Sequence, residues 1–124
     1  MSKITTRRFA VSIFAVLTMV TAALGADISG SWTASFETQV GTQSYTYTFK
    51  VEGTKLTGSA KSNLGEGTID MGTVTGDDVA FVEHLNYQGM MLDIPYKGKI
   101  SGNEIAFTRT IMGEAEKLVA KRAK

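Results

Sequence analysis

The sequence predicts an all-β protein, an eight-stranded antiparallel up-and-down barrel that follows a cleaved signal peptide, and three observations carry that prediction. Past residue 26 the hydrophobic pattern has a period of two. In Tyr45-Thr46-Tyr47-Thr48-Phe49-Lys50-Val51-Glu52 every odd position is aromatic or β-branched and every even one is polar. Successive side chains of a strand point to opposite sides, so this run is a strand with one buried face. A motif of the form apolar-x-Gly-x-x-apolar then recurs three times, as Val51-Glu52-Gly53-Thr54-Lys55-Leu56, Val74-Thr75-Gly76-Asp77-Asp78-Val79 and Ile100-Ser101-Gly102-Asn103-Glu104-Ile105. Each copy joins two alternating runs through a Gly-centred turn, where a positive φ costs little, which makes three consecutive hairpins. A strand around Trp32 before them and a last one near residues 117–121 bring the number to eight, and closing the meander removes its exposed edges.

The first 26 residues are set aside as a secretory signal peptide. Lys3, Arg7 and Arg8 precede an apolar run over residues 9–20 and a small-residue stretch over residues 21–26. Cleavage after Gly25 and after Ala26 both stay open. The apolar run is short for a membrane span, which needs about 20 residues. Arg7-Arg8 raises twin-arginine export, but Ala10 and Val11 follow where that route expects a strongly apolar pair, so ordinary Sec export is favoured. Residues 27–124 are then one periplasmic or secreted domain. It holds ten basic residues against twelve acids, a formal charge of −2, which recruits neither nucleic acid nor an anionic membrane. The chain has no cysteine, so the fold is held by packing alone and Cys-based metal or nucleophile chemistry is excluded.

Taken in order, the first strand points Trp32, Ala34 and Phe36 inward. The second does the same with Tyr45, Tyr47, Phe49 and Val51. Leu56, Gly58 and Ala60 share a phase in the third, and Gly65, Gly67 and Gly72 interrupt the fourth in a manner suited to sharp bends at barrel corners. The fifth carries Val79, Phe81 and Leu85, the sixth Met90, Leu92, Ile94 and Tyr96, and the seventh Ile105, Phe107 and Ile111. Pro95 falls in the outward phase and lacks an N–H, which predicts a bulge or a local break in pairing. Met90 is expected inward and Met91 outward, at the barrel mouth. No helix of normal length is visible after the signal, although residues 113–117 could hold one turn, and Lys117, Lys121, Arg122 and Lys124 form a solvated basic tail.

The anomaly is a pair of charges in inward phase. Glu83 continues Val79 and Phe81, and Arg109 continues Ile105 and Phe107, each four residues past the first core residue of its hairpin copy. An unpaired buried charge is costly, so each needs a partner. Two readings stay open. In one, Glu83 and Arg109 pair with each other through the hydroxyls of Tyr45, Tyr47 or Tyr96 as a polar plug. In the other they line a cavity and hold the polar end of a small ligand, with Trp32, Tyr47, Phe81 and Tyr96 around the rest. His84, the only histidine, is placed outward, where a lone histidine builds no zinc site. No cofactor is expected. Serines lack a nucleophile elbow, and Glu83, Asp93 and Glu66 do not share a face as a glycosidase pair would.

The runs 45–53, Leu56-Thr57-Gly58, Phe81-Val82-Glu83, 96–102, Ile105-Ala106-Phe107-Thr108-Arg109 and Val119-Ala120-Lys121-Arg122 together resemble an uncharacterised β-barrel domain of bacterial secreted proteins, lipocalin- or calycin-like. Gly30-Ser31-Trp32 is similar to the first-strand entry of lipocalin and avidin barrels. The resemblance implies a domain found alone behind a signal peptide or appended to exported esterases and glycoside hydrolases, with an accessory role in carbohydrate or ester turnover. The functional expectation is an exported barrel that binds a small amphipathic molecule in its interior. The alternatives are a solid-core interaction module for secreted hydrolases or glycans and, third, a hydrolase or isomerase using Glu83 as general base.

Overall fold

The computed structural model describes residues 26–123. The segment expected to be a signal peptide lies, apart from Ala26, outside the described residues. Eight strands, β1 (Gly30–Thr38), β2 (Gly41–Glu52), β3 (Lys55–Ser62), β4 (Gly65–Thr75), β5 (Asp78–Tyr87), β6 (Met90–Ser101), β7 (Glu104–Ile111) and β8 (Glu114–Arg122), follow one another around a closed antiparallel barrel. Among the described residues no helix is long and apolar enough to cross a membrane.

A meander of this kind has two ends. The three repeated Gly turns join β2 to β3, β4 to β5 and β6 to β7 at one of them, and Gly53, Gly76 and Gly102 have φ of 66°, 59° and 61°. Both ends of the described chain lie there too: the Ala123 N–H donates to Ser31 O at 2.8 Å. Trp32 is fully buried at this end, its Nε1–H donating to Ile28 O at 2.9 Å, with the Arg122 guanidinium 4.5 Å from its ring centroid. We call it the sealed end. The opposite end, the mouth, carries the β1–β2, β3–β4, β5–β6 and β7–β8 turns. Gln88-Gly89 and Met112-Gly113 both have positive φ there, as two-residue hairpin turns require.

The inward phases of β1, β2, β3, β5 and β7 are those expected from alternation. Between the two ends the rings of Tyr47, Phe49, Phe81, Tyr96 and Phe107 fill the barrel, with Phe81 and Tyr96 stacked at 4.5 Å. Gly98 makes room for this layer: a Cβ at that position would stand 2.5 Å from Phe107 Cδ1. The glycine-interrupted strand β4 contains one extra residue that both neighbours register, between Asp70 and Thr73 against β5 and opposite Leu56 and Gly58 of β3. Met71, exposed and at φ 53°, is the bulged residue. The bulge resets the alternation, so that Ile69 and Val74, five residues apart, both face the core.

Three expectations are corrected or sharpened. Met90 is 57% exposed, as is the neighbouring Met91 at 63%, because β6 runs out past the packed interior before it reaches its turn. Residues 113–117 hold no helical turn; β8 begins at Glu114 and pairs with β7 back to the Met112-Gly113 turn. Pro95 keeps its place opposite Val82 of β5, but the β6–β7 ladder stops at Tyr96↔Arg109, one residue short of it. The β8–β1 closure is shorter still, limited to Trp32↔Arg122 and Thr33↔Lys121.

Candidate functional site

Inward alternation from Ile105 through Phe107 brings Arg109 to the middle of the barrel, 1% exposed, and the same alternation from Val79 buries Glu83 completely. Their nearest N···O distance is 3.9 Å, too long for a direct hydrogen bond. Two tyrosines span the gap. Arg109 Nη1 donates to Tyr45 Oη at 3.1 Å and to Tyr96 Oη at 3.0 Å. Those hydroxyls donate in turn to Glu83, Tyr45 to Oε2 at 3.1 Å and Tyr96 to Oε1 at 2.8 Å. Because Tyr96 spends its hydrogen on Glu83, the 3.0 Å contact between Tyr47 and Tyr96 has Tyr47 as donor. Every hydrogen in the ring therefore has one assignment. Small neighbours admit these long side chains: Ala60 pairs with Gly67, whose Cβ, if present, would lie 3.4 Å from Glu83 Cγ.

The electrostatics follow from burial. Loss of water pushes the Glu83 carboxyl above its usual range, opposed by the Tyr96 hydrogen bond, the Arg109 charge and the Tyr45 hydrogen bond. Burial raises Tyr47 and Tyr96 well above ordinary phenols, so both keep their hydrogens. Burial alone would lower Arg109, but the Tyr96 and Tyr45 oxygens outweigh it and the guanidinium stays charged. Its plane also lies 4.8 Å from the Phe36 centroid and 5.3 Å from that of Tyr45.

On the mouth side, Arg109 Nε donates to Glu116 Oε1 at 2.8 Å, across a direct cross-strand pair of β7 and β8. The Nη2 group has no hydrogen-bond acceptor among the described residues. Arg109 and Glu116 also line a pocket of about 60 Å³ with a largely apolar wall, to which Val40, Leu64, Tyr87, Leu92, Ile111 and Met112 contribute. Gln43, inward on β2 opposite Phe36 and 1% exposed, leaves its Oε1 without a partner among the described residues.

The six residues expected around a ligand separate into groups. Glu83, Arg109, Tyr47 and Tyr96 meet in the hydrogen-bonded tier, Phe81 stacks beneath it on Tyr96, and Trp32 belongs to the sealed end. Of the six, only Arg109 borders the mouth pocket. On the outer face His84 is held between carboxylates, Nδ1 2.7 Å from Asp93 and Nε2 2.7 Å from Asp70. Those two hydrogen bonds raise its pKa. Both ring nitrogens are thus engaged, and among the described residues no cluster of His, Asp and Glu is placed to hold a metal ion. No protein-family model, curated protein or solved structure matches the chain.

Proposed function

We propose that this chain is an exported barrel that binds a small amphipathic molecule at its mouth, with the polar head on Arg109 and the apolar part against Leu64, Tyr87, Leu92 and Ile111. One observation carries the reading: Arg109, a charged residue 1% exposed, lines a largely apolar pocket at the mouth. A ligand oxygen would give its guanidinium an acceptor inside the barrel wall, a charge-assisted hydrogen bond. The pocket's 60 Å³ is small beside the roughly 300–1,000 Å³ of sites that engulf a drug-sized ligand. It suits a head group and a few carbons, with any longer chain lying over the exposed side chains of Val40 and Met112. Relative to the sequence-based expectation, binding moves from the interior, which aromatic rings occupy, to the rim. Lys3, Arg7 and Arg8 ahead of an apolar run support export.

The test is a titration of the isotope-labelled barrel with millimolar hexanol, followed by amide chemical shifts. Saturable shifts at Val40, Leu64, Leu92 and Ile111, lost in Leu92→Asp, are the expected result. No saturable shift at these positions with any short-chain amphiphile, whatever its head group, overturns the reading. A second reading would then gain: Val40, Met90, Met91 and Met112 crown the mouth as exposed apolar side chains, a surface suited to docking on a partner such as a secreted hydrolase or glycan.

A further inference from the structure

The seam between β1 and β8 is the least complete wall of the barrel. Its ladder holds Trp32↔Arg122 and Thr33↔Lys121, after which no further pair joins the two strands among the described residues. Beyond Trp32, the Ala123 N–H and Ser31 O meet across the same seam. Backbone groups of a strand alternate in direction with a period of two, so the odd-numbered residues of both strands turn theirs to the seam. The register of β1 on β2 and of β8 on β7 is unbroken, which carries that alternation along the strands. Ser35 of β1 and Lys117 and Val119 of β8 therefore present N–H and C=O groups without a ladder partner.

Packing changes at the same place. Ala34, Phe36 and Leu118 are 8%, 9% and 5% exposed, whereas every other buried apolar side chain of the core is at 2% or less. A groove of about 690 Å³ is lined by all three, by Thr33 and Ser35 of β1, and by Lys117, Val119 and Lys121 of β8. The charged side chains that line it are both lysines. An open strand edge is a template for another strand, since only a second backbone supplies N–H and C=O groups at matching intervals. Lysines on such an edge discourage pairing with indifferent chains, and an opposite charge on the partner turns that barrier into an attraction.

We propose that the β1–β8 seam is a strand-addition site for an extended acidic peptide, which pairs with the open edge of β8 at Lys117 and Val119. Its outward side chains are the acidic ones, beside Lys117 and Lys121. Its inward side chains are apolar and cover Phe36 and Leu118. The site is separate from the mouth pocket and does not depend on the reading given for it.

The experiment adds capped Val-Glu-Val-Glu-Val to the isotope-labelled barrel, with Val-Lys-Val-Lys-Val as its counterpart, and follows affinity and amide hydrogen exchange residue by residue. The acidic peptide is expected to slow exchange at Lys117 and Val119 and to leave Leu118 unchanged, because the Leu118 N–H is already turned to β7. It is expected to bind roughly tenfold tighter than the basic peptide, the worth of exchanging like for opposite charges across a strand pair. Lys117→Glu, a change on the exposed face, reverses that order. Binding of the acidic peptide without the alternating protection overturns strand addition, and equal binding of the two peptides overturns the acidic assignment. Binding of neither overturns the site altogether. An oligogalacturonate that binds the groove more tightly than the acidic peptide assigns it to an acidic glycan and likewise overturns the proposal.

Discussion

The two ends of this barrel are built from similar hairpins and closed in different ways. At the sealed end every ladder runs to its turn or to the chain ends: Glu52↔Lys55, Thr75↔Asp78, Ser101↔Glu104 and Trp32↔Arg122. The filling there is apolar, with Ile28 and Trp32 under a cation–π contact from Arg122. At the mouth, β7 leaves β6 after Arg109 and β8 is paired with β1 only at Arg122 and Lys121. The outer half of the β7–β8 hairpin is thus hydrogen-bonded to itself alone. A closed barrel need not be evenly closed. Where its ladders stop, buried polar groups and an exposed apolar rim take over, and an unequal molecule of this kind has its adaptable surface at one end.

The largest expected effect separates the two kinds of packing. Trp32→Ala should cost about 3–5 kcal/mol through the cavity it leaves, by an amount that does not depend on pH. Arg109→Leu should cost a similar 3–5 kcal/mol near neutrality, because it strands Glu83. Its deficit should shrink in acid. Glu83 already has a raised pKa, so its contribution is greatest when it is protonated and declines as pH rises through the folded-state value. Removing Arg109 raises that pKa further. Denaturant melts of both variants at acidic and neutral pH check the contrast, and parallel behaviour would erase it.

Hydrogen exchange should sharpen the same comparison next. Amides of Thr110, Ile111 and Lys117 are expected to exchange well before those of Phe49 and Leu56, since local opening follows missing ladder partners. A smaller effect is expected at Gln43. Replacing it by Leu removes an unmatched buried carbonyl oxygen and should raise stability by about 1 kcal/mol. The smallest belongs to neither end. His84 has a pKa raised by Asp93 and Asp70, so its stabilisation is full below the unfolded value of 6.5 and fades as pH rises through the higher folded value. His84→Gln should flatten the pH dependence of the melting temperature above that point, by under about 1 kcal/mol because the pair is solvent-screened.

Alternation and the Gly repeat made the barrel legible, since both report directly on the backbone. They place Glu83 and Arg109 inside, at comparable depth. What alternation does not carry is length: it runs Met90 and Ile111 into the core list without marking where packing ends and the rim begins. Glu116 was hidden for a related reason. Leaving residues 113–117 open to a helical turn breaks the hairpin arithmetic, whereas a two-residue turn at Met112-Gly113 sets Glu116 opposite Arg109 at once. The bulge at Met71 had a visible trace too, because Ile69 and Val74 stand an odd number of residues apart and a regular strand cannot bury both. The partners of His84 come from cross-strand register, which period alone does not supply.

The backbone hydrogen bond from Ala123 to Ser31 also fixes how the domain is presented when it is joined to something else. Residues 26 and 123 both depart from the sealed end, so a fused enzyme, a display anchor or a surface tether at either side hangs from the same pole. The mouth then faces outward in every such arrangement. A short linker joining those two positions would permit circular permutation, with new ends opened at the Gln39-Val40 turn.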